Sequence, residues 1–174
     1  DLGLLTSDLR QFDIRGNVAT SRSFVDRATK TVTQIADSPD STIDASSVSV
    51  NGLMLQTVSQ TGLTNLFHYD ALERQTGMTD PRTGTSITHY DDKGRVDWTE
   101  DAASNKTFIA YHPETGRQIA VTNALGLATY SAHDVQGRVI GTWGATYPVF
   151  YEFDAYSRMA AMYTLRDSSL VVTG

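Results

Sequence analysis

Apolar and polar positions alternate in short runs along most of the chain, with turn-forming residues between the runs. Val48-Ser49-Val50 and Leu53-Met54-Leu55 flank Asn51-Gly52, a strong short-range hairpin signal. Thr85-Ser86-Ile87-Thr88-His89-Tyr90 and Lys106-Thr107-Phe108-Ile109-Ala110-Tyr111 are rich in β-branched and aromatic residues. Their two-residue period is that of a strand, whose side chains point to opposite faces in turn. One face of the series then carries Phe67/Tyr69, Thr88/Tyr90, Ile109/Tyr111, Ser131/His133 and Tyr151/Phe153. The other carries Leu66/His68, Ile87/His89, Phe108/Ala110, Tyr130/Ala132 and Phe150/Glu152. Both sets are partly apolar, which predicts a sheet that curls and covers one face with itself or with another layer. Arg22 to Ala36 reads as strand from its Thr, Val and Ile content, with a short helix over Phe24–Lys30 as the competing reading.

The runs recur. Between Gly62 and Arg158 the chain divides into five lines, each ending at an arginine: Arg74, Arg95, Arg117, Arg138 and Arg158, at spacings of 20 to 22 residues. A fixed period of that size marks a repeat architecture. Tyr69-Asp70-x-x-Glu73-Arg74 opens the series. Tyr90-Asp91-x-x-Gly94-Arg95 and Asp134-x-x-Gly137-Arg138 follow the full pattern, and Phe153-Asp154-x-x-Ser157-Arg158 closes it. The third line, Tyr111-His112-Pro113-Glu114-Thr115-Gly116-Arg117, carries an additional residue. An Asp at the start of a turn bonds its own backbone two residues on, and Gly supplies the positive φ where the chain re-enters a strand. Each line is therefore a hairpin tip. Glu73 and Ser157 replace the Gly, and the cost of a left-handed residue with a side chain predicts tips that are bent differently there.

A second set of turns lies between the lines, at Asp80-Pro81-Arg82-Thr83-Gly84, Asp101 to Asn105 and Asn123 to Gly126. Turn, strand, turn, strand makes an antiparallel meander, so the expected class is all-β. Residues 1–60 read as divergent N-terminal hairpins with an extended loop near 37–47. Residues 61–174 read as one continuous domain of hairpin repeats of about 21 residues. Phe12-Asp13 with Gly16 looks like a shortened extra copy.

Asp-Pro-x-x-Gly-Thr at Asp80 followed by Tyr-Asp-x-x-Gly-Arg at Tyr90 resembles the Rhs or YD-repeat family. That family includes bacterial Rhs toxins, the B and C components of insecticidal toxin complexes, and teneurins. The resemblance implies a curved strip of β-shell that encloses or presents a toxin or other cargo. It also implies a secreted or cell-surface location, and partners that are flanking repeats or cargo of a larger parent protein. Many Rhs proteins carry a C-terminal core signature that supports aspartyl self-cleavage. Met159 to Gly174 does not match it, so self-cleavage is not expected in this segment.

Composition narrows the function. The net charge of −6 disfavours polyanions, so nucleic acid is not an expected partner. No run approaches the roughly 20 apolar residues of a membrane-spanning helix. Cysteine is absent, which removes disulfides and thiolate chemistry. The chain starts at Asp1 in mid-phrase, as a fragment does. Outer strands of such a sheet would expose unpaired backbone groups and invite edge-to-edge self-association.

Candidate chemistry is sparse. His68 and His89 hold equivalent positions one residue before a tyrosine, and side by side could ligate a metal or exchange a proton. As strand residues on an exposed face they need no such role. Asp91-Asp92 and Glu100-Asp101 are adjacent carboxylates, but neighbours in a turn do not face each other across a substrate. No enzyme activity, cofactor or metal is expected. The five arginines read as inter-hairpin ion-pair partners that reach the acidic residue of an adjacent tip. Trp98 and Trp143 lie on strand positions of the same parity and suit sugar stacking, so a carbohydrate-binding module is the alternative reading. A small carbohydrate-active enzyme is the second alternative.

Overall fold

The computed structural model describes residues 3–39 and 43–164. Part of the loop expected near 37–47, and the segment after residue 164 in which a self-cleavage signature was sought, lie outside the described residues. Every element of regular structure among the described residues is a β-strand, and no helix is long and apolar enough to cross a membrane. Strands neighbour one another in the sheet in the order in which they occur in the chain. The all-β antiparallel meander read from the sequence is the observed fold.

Two compact units divide at residues 88 and 89. The first contains β1 (Leu4–Phe12), β2 (Val18–Asp26), β3 (Thr31–Asp37), β4 (Ala45–Val50), β5 (Leu53–Val58), β6 (Thr64–Tyr69), β7 (Gln75–Asp80) and most of β8 (Gly84–Tyr90). The segment Arg22 to Ala36 is not one run, and it holds no helix: β2 ends at Asp26 and β3 begins at Thr31. Asp26 explains the break. Its Oδ1 accepts the Ala28 N–H at 2.9 Å and its Oδ2 accepts the Thr29 hydroxyl at 2.8 Å. A side chain that captures nearby backbone donors competes with helix formation. Asn51-Gly52 closes the β4–β5 hairpin, with Asn51 at φ 53°.

The second unit contains β9 (Val96–Glu100), β10 (Lys106–Tyr111), β11 (Gln118–Thr122), β12 (Ala128–His133), β13 (Val139–Gly144), β14 (Val149–Phe153) and β15 (Met159–Thr164). Its hairpins share an irregularity with β6–β7. Tyr69 pairs with Gln75 but His68 pairs with Gly77, which leaves Thr76 as a bulge. Ile119, Ile140 and Ala160 are skipped in the same way. A bulge here sharpens the local twist. It also places a small residue beside the one that precedes the tip aromatic: Gly77, Ala120, Gly141 and Ala161.

The strand that follows sets a large side chain opposite that small one. Ile87 faces Gly77, Tyr130 faces Ala120, and Phe150 faces Gly141. A Cβ added to Gly141 would stand 2.7 Å from the Phe150 ring, so the row is small because its neighbour lies across it. Burial is nevertheless slight. Ala120 is the buried hydrophobic residue of the described chain, at 8% exposure, and no large side chain is fully buried. The expected covered face is not observed, because burial is shared between two half-exposed faces. β1 is exposed along its whole length.

The tips at Glu73 and Ser157 are not bent differently. Like those at Gly94 and Gly137, they close through an N–H bond to the aspartate carbonyl three residues back and end on a left-handed residue. The longer His112 tip closes from Gly116, four residues on. Glu73 and Ser157 each adopt φ 63° in the place where Gly94, Gly137 and Gly116 sit in their lines. Glu73→Gly and Ser157→Gly are each expected to raise stability by about 0.5–1 kcal/mol, the left-handed strain relieved less the extra backbone entropy of glycine. Urea unfolding of the two variants against the parent chain checks this, and a fall in midpoint in both would overturn it.

Candidate functional site

The repeated lines build a clasp. At the second line the Asp91 N–H donates to the Arg95 carbonyl and the Gly94 N–H donates to the Asp91 carbonyl, both at 2.8 Å. Oδ1 of Asp91 accepts the N–H groups of Lys93 and Arg95 at 2.9 Å each. Oδ2 accepts the Arg95 guanidinium from Nε at 2.8 Å and from Nη2 at 2.6 Å. Asp70 with Arg74 and Asp134 with Arg138 repeat this arrangement, their Nη2 atoms again 2.6 Å from the carboxylate. Arg158 reaches Asp154 through Nε at 2.8 Å. The arginine partner is thus the aspartate of its own tip, four residues back, and not that of an adjacent tip. The sequence signal was the constant Asp-to-Arg spacing of four, which places both on one turn.

The guanidinium also serves the following line. Arg95 lies 4.2 Å over the Tyr111 ring and Arg138 lies 4.3 Å over the Phe153 ring. Such contacts are worth about 0.5–1 kcal/mol at exposed sites. The aromatic row is therefore interleaved with arginines. Tyr111 adds a second tie, its hydroxyl donating to the Val96 carbonyl at 2.8 Å. Tyr69 does the same to Met54 in the first unit. Backbone N–H bonds from Arg95 and Arg74, with the guanidinium bonds behind them, hold Asp91 and Asp70 below the ordinary carboxylate value of 3.8. At Asp134 partial burial pushes upward and is the largest single influence, but the bonds from Arg138 and Gln136 together outweigh it. Asp154 is lowered chiefly by the Arg158 N–H.

The third line departs from the rest. His112 stands in place of the aspartate, and its Nδ1 accepts the N–H groups of Glu114 and Thr115 at 3.3 and 3.2 Å. With no carboxylate in its own tip, Arg117 crosses to the next one. It donates from Nη1 to the Asp134 carbonyl at 2.6 Å and from Nη2 to the Val135 carbonyl at 3.3 Å. Its guanidinium lies against Gly137, where a Cβ would be 3.0 Å from Nη2. One line later His133 replaces the tyrosine. His112, Thr115, Arg117, Ile119, Ser131 and His133 line a concavity of about 320 Å³. No reading of the sequence singled this place out.

The two histidines singled out from the sequence have ordinary partners. His68 Nε2 is 3.0 Å from the Thr79 hydroxyl. His89 Nδ1 is 2.6 Å from the Asp97 carboxylate, and its ring stacks on Trp98 at 5.1 Å. Lys106 lies 4.5 Å over the same indole from the opposite strand and also meets Glu100 at 3.4 Å. Trp143 stacks between Tyr130 at 5.9 Å and Phe150 at 6.4 Å. Both indoles are flanked on two sides, which leaves their edges to solvent. Among the described residues no three His, Asp or Glu side chains gather as metal ligands.

No family profile and no curated protein matches the chain in sequence. Solved structures match it in fold. A chain of the TcdB2-TccC3-TEV crystal structure aligns with 86% of this chain at TM-score 0.59 and 14% identity, over 9% of its own length. A chain of the Photorhabdus luminescens Tc holotoxin pore carrying a TccC3 mutation aligns with 91% at TM-score 0.57 and 14% identity, over 9% of its own length. A chain of TcdB2-TccC3 without its hypervariable C-terminal region aligns with 90% at TM-score 0.57 and 13% identity, over 12% of its own length. The chain thus spans between 9% and 12% of the length of the chains it matches. The fold of this chain is the antiparallel hairpin repeat of the Tc toxin TcdB2-TccC3 chains, the Rhs/YD-repeat fold that its Tyr-Asp-x-x-Gly-Arg lines resemble.

Proposed function

We propose that the chain is a structural and interaction segment of a secreted or cell-surface Rhs/YD-repeat protein, part of a β-shell wall that encloses or presents a toxin or other cargo, with no catalysis of its own. The observation that carries this reading is the scarcity of interior: half-exposed side chains on both faces and no large side chain fully buried. A sheet of this kind becomes stable by continuing into further strands, and its chemistry is spent on joining one hairpin to the next. β1, exposed throughout, and β15, exposed at every position but Ala161, are the strands to which flanking repeats would add. The engaged faces of Trp98 and Trp143 favour the wall over a glycan groove.

Hydrogen exchange on the isolated chain and on its parent protein tests the proposal. Amides of Leu4–Phe12 and Met159–Thr164 should exchange fast in isolation and become protected in the parent, where adjoining strands cover them. Equal exchange in both settings would rule out the wall. A companion measurement reads the cargo: limited proteolysis of the parent should spare an enclosed segment until the shell is opened by acid. A segment cut at once would limit the role to presentation.

A further inference from the structure

We propose that the concavity around Arg117 is a binding site for a carboxylate supplied from outside the repeat, such as an acidic side chain of a partner polypeptide. Each regular arginine of the series holds a carboxylate in its own tip, at 2.6 to 2.8 Å. Arg117 alone among the five line-ending arginines has a histidine where that carboxylate should be. Two of its N–H groups bind the carbonyls of Asp134 and Val135. The Asp134 carboxylate is taken by Arg138 at 2.6 Å. A guanidinium has five N–H donors in a planar fork matched to a carboxylate, so three donors of Arg117 remain for a ligand.

The surroundings are suited to an anion. His112 Nδ1 accepts two backbone N–H groups, so the neutral ring carries its proton on Nε2 and is a donor there. Ser131 and Thr115 bring hydroxyls, and His133 stands where a tyrosine would otherwise meet the arginine. His112, Arg117, Ser131 and His133 are half-buried, which strengthens a charge-assisted bond over a fully exposed one. The concavity of about 320 Å³ admits one acidic side chain with its flanking backbone. Two lapses of the repeat in adjacent lines thus leave one cation without its usual partner and open a space beside it.

The site is tested on the whole chain with a blocked acidic dipeptide, acetyl-Asp-Glu-amide, followed through the imidazole NMR signals of His112 and His133. Saturable shifts are expected with this peptide and none with acetyl-Asn-Gln-amide. Arg117→Gln should weaken the titration about tenfold or more, the loss of one charge-assisted pair. His112→Asp puts a carboxylate where Asp91 has one in its own line. It should abolish the titration and leave the far-UV spectrum of a folded sheet, and it decides the matter if Arg117→Gln does not fold. Undiminished binding in His112→Asp, equal shifts with the uncharged dipeptide, or no saturable shift at all would each overturn the proposal. Inorganic phosphate saturating at about tenfold lower concentration than the peptide would overturn the carboxylate assignment in favour of a phosphoryl site.

Discussion

Gly144→Ala is expected to lower the stability of the second unit by about 2–5 kcal/mol, by combining backbone strain with overpacking. Gly144 sits at φ 102°, and a Cβ there would collide with the Ala128 carbonyl oxygen and stand 3.0 Å from Cδ2 of Tyr130. The carbonyl cannot retreat freely, because it accepts the Ala145 N–H at 2.8 Å. The Tyr130 ring is held too, by its stack with Trp143. Left-handed strain for a residue with a Cβ costs about 1–2 kcal/mol, and relieving a contact against backbone adds about 1–3 kcal/mol. Gly126→Ala separates the two contributions. It has φ 76° with nothing within 4 Å of the added Cβ, so it should cost only about 1–2 kcal/mol. Urea unfolding followed by tryptophan fluorescence reads both variants, with Trp143 next to the altered residue. Equal losses at the two glycines would show that the β12–β13 strands do not hold the Ala128 carbonyl against position 144.

The strands and tips were legible because their causes are local. Alternation over five or six residues sets a strand, and an aspartate bonding its own backbone two and four residues on sets a tip; both lie within one line of the sequence. The competing helix at Phe24–Lys30 failed for an equally local reason, the capture of Ala28 and Thr29 by Asp26. The destination of the arginines was less visible. Lines stacked side by side suggested pairing between tips, whereas a reach of four residues along the chain is shorter. The small row at Gly77, Ala120, Gly141 and Ala161 escaped because the tips that lead into it insert a bulge after their arginines. Counting by twos across that point changes the parity of every residue beyond it. Trp98 and Trp143 stand on one face because Trp98 pairs with Phe108 and Trp143 with Tyr130, and those two partners meet Thr122 and Ala120, two residues apart on β11. The concavity at Arg117 escaped for the opposite reason. Pattern reading rewards matches, and this place exists where His112 and His133 fail to match.

Acid is expected to loosen the whole series of hairpins at once. Asp70, Asp91, Asp134 and Asp154 all lie below the ordinary value of 3.8. Asp13, Asp26 and Asp101 do too, held by bonds from Asn17, Thr29 and Asn105. A carboxylate whose folded value is depressed binds fewer protons folded than unfolded, so its stabilisation is complete above the unfolded value. It is lost as pH falls through the folded one. The melting temperature should therefore vary little with pH above about 5 on account of these groups and fall steeply below about 4. Protonation removes the acceptor that closes the turn and the charge that orients the arginine over the next aromatic ring, so one event loosens a tip and its tie to the following hairpin. Replacing Asp70, Asp91, Asp134 and Asp154 together by Asn should lower the melting temperature at pH 7 and flatten its dependence between about pH 5 and 3. The same replacement at Asp92, whose carboxylate closes no tip, should leave both unchanged. Thermal melts of the three proteins across that range decide it: an acid slope undiminished in the fourfold variant would mean that the clasps are not what acid breaks.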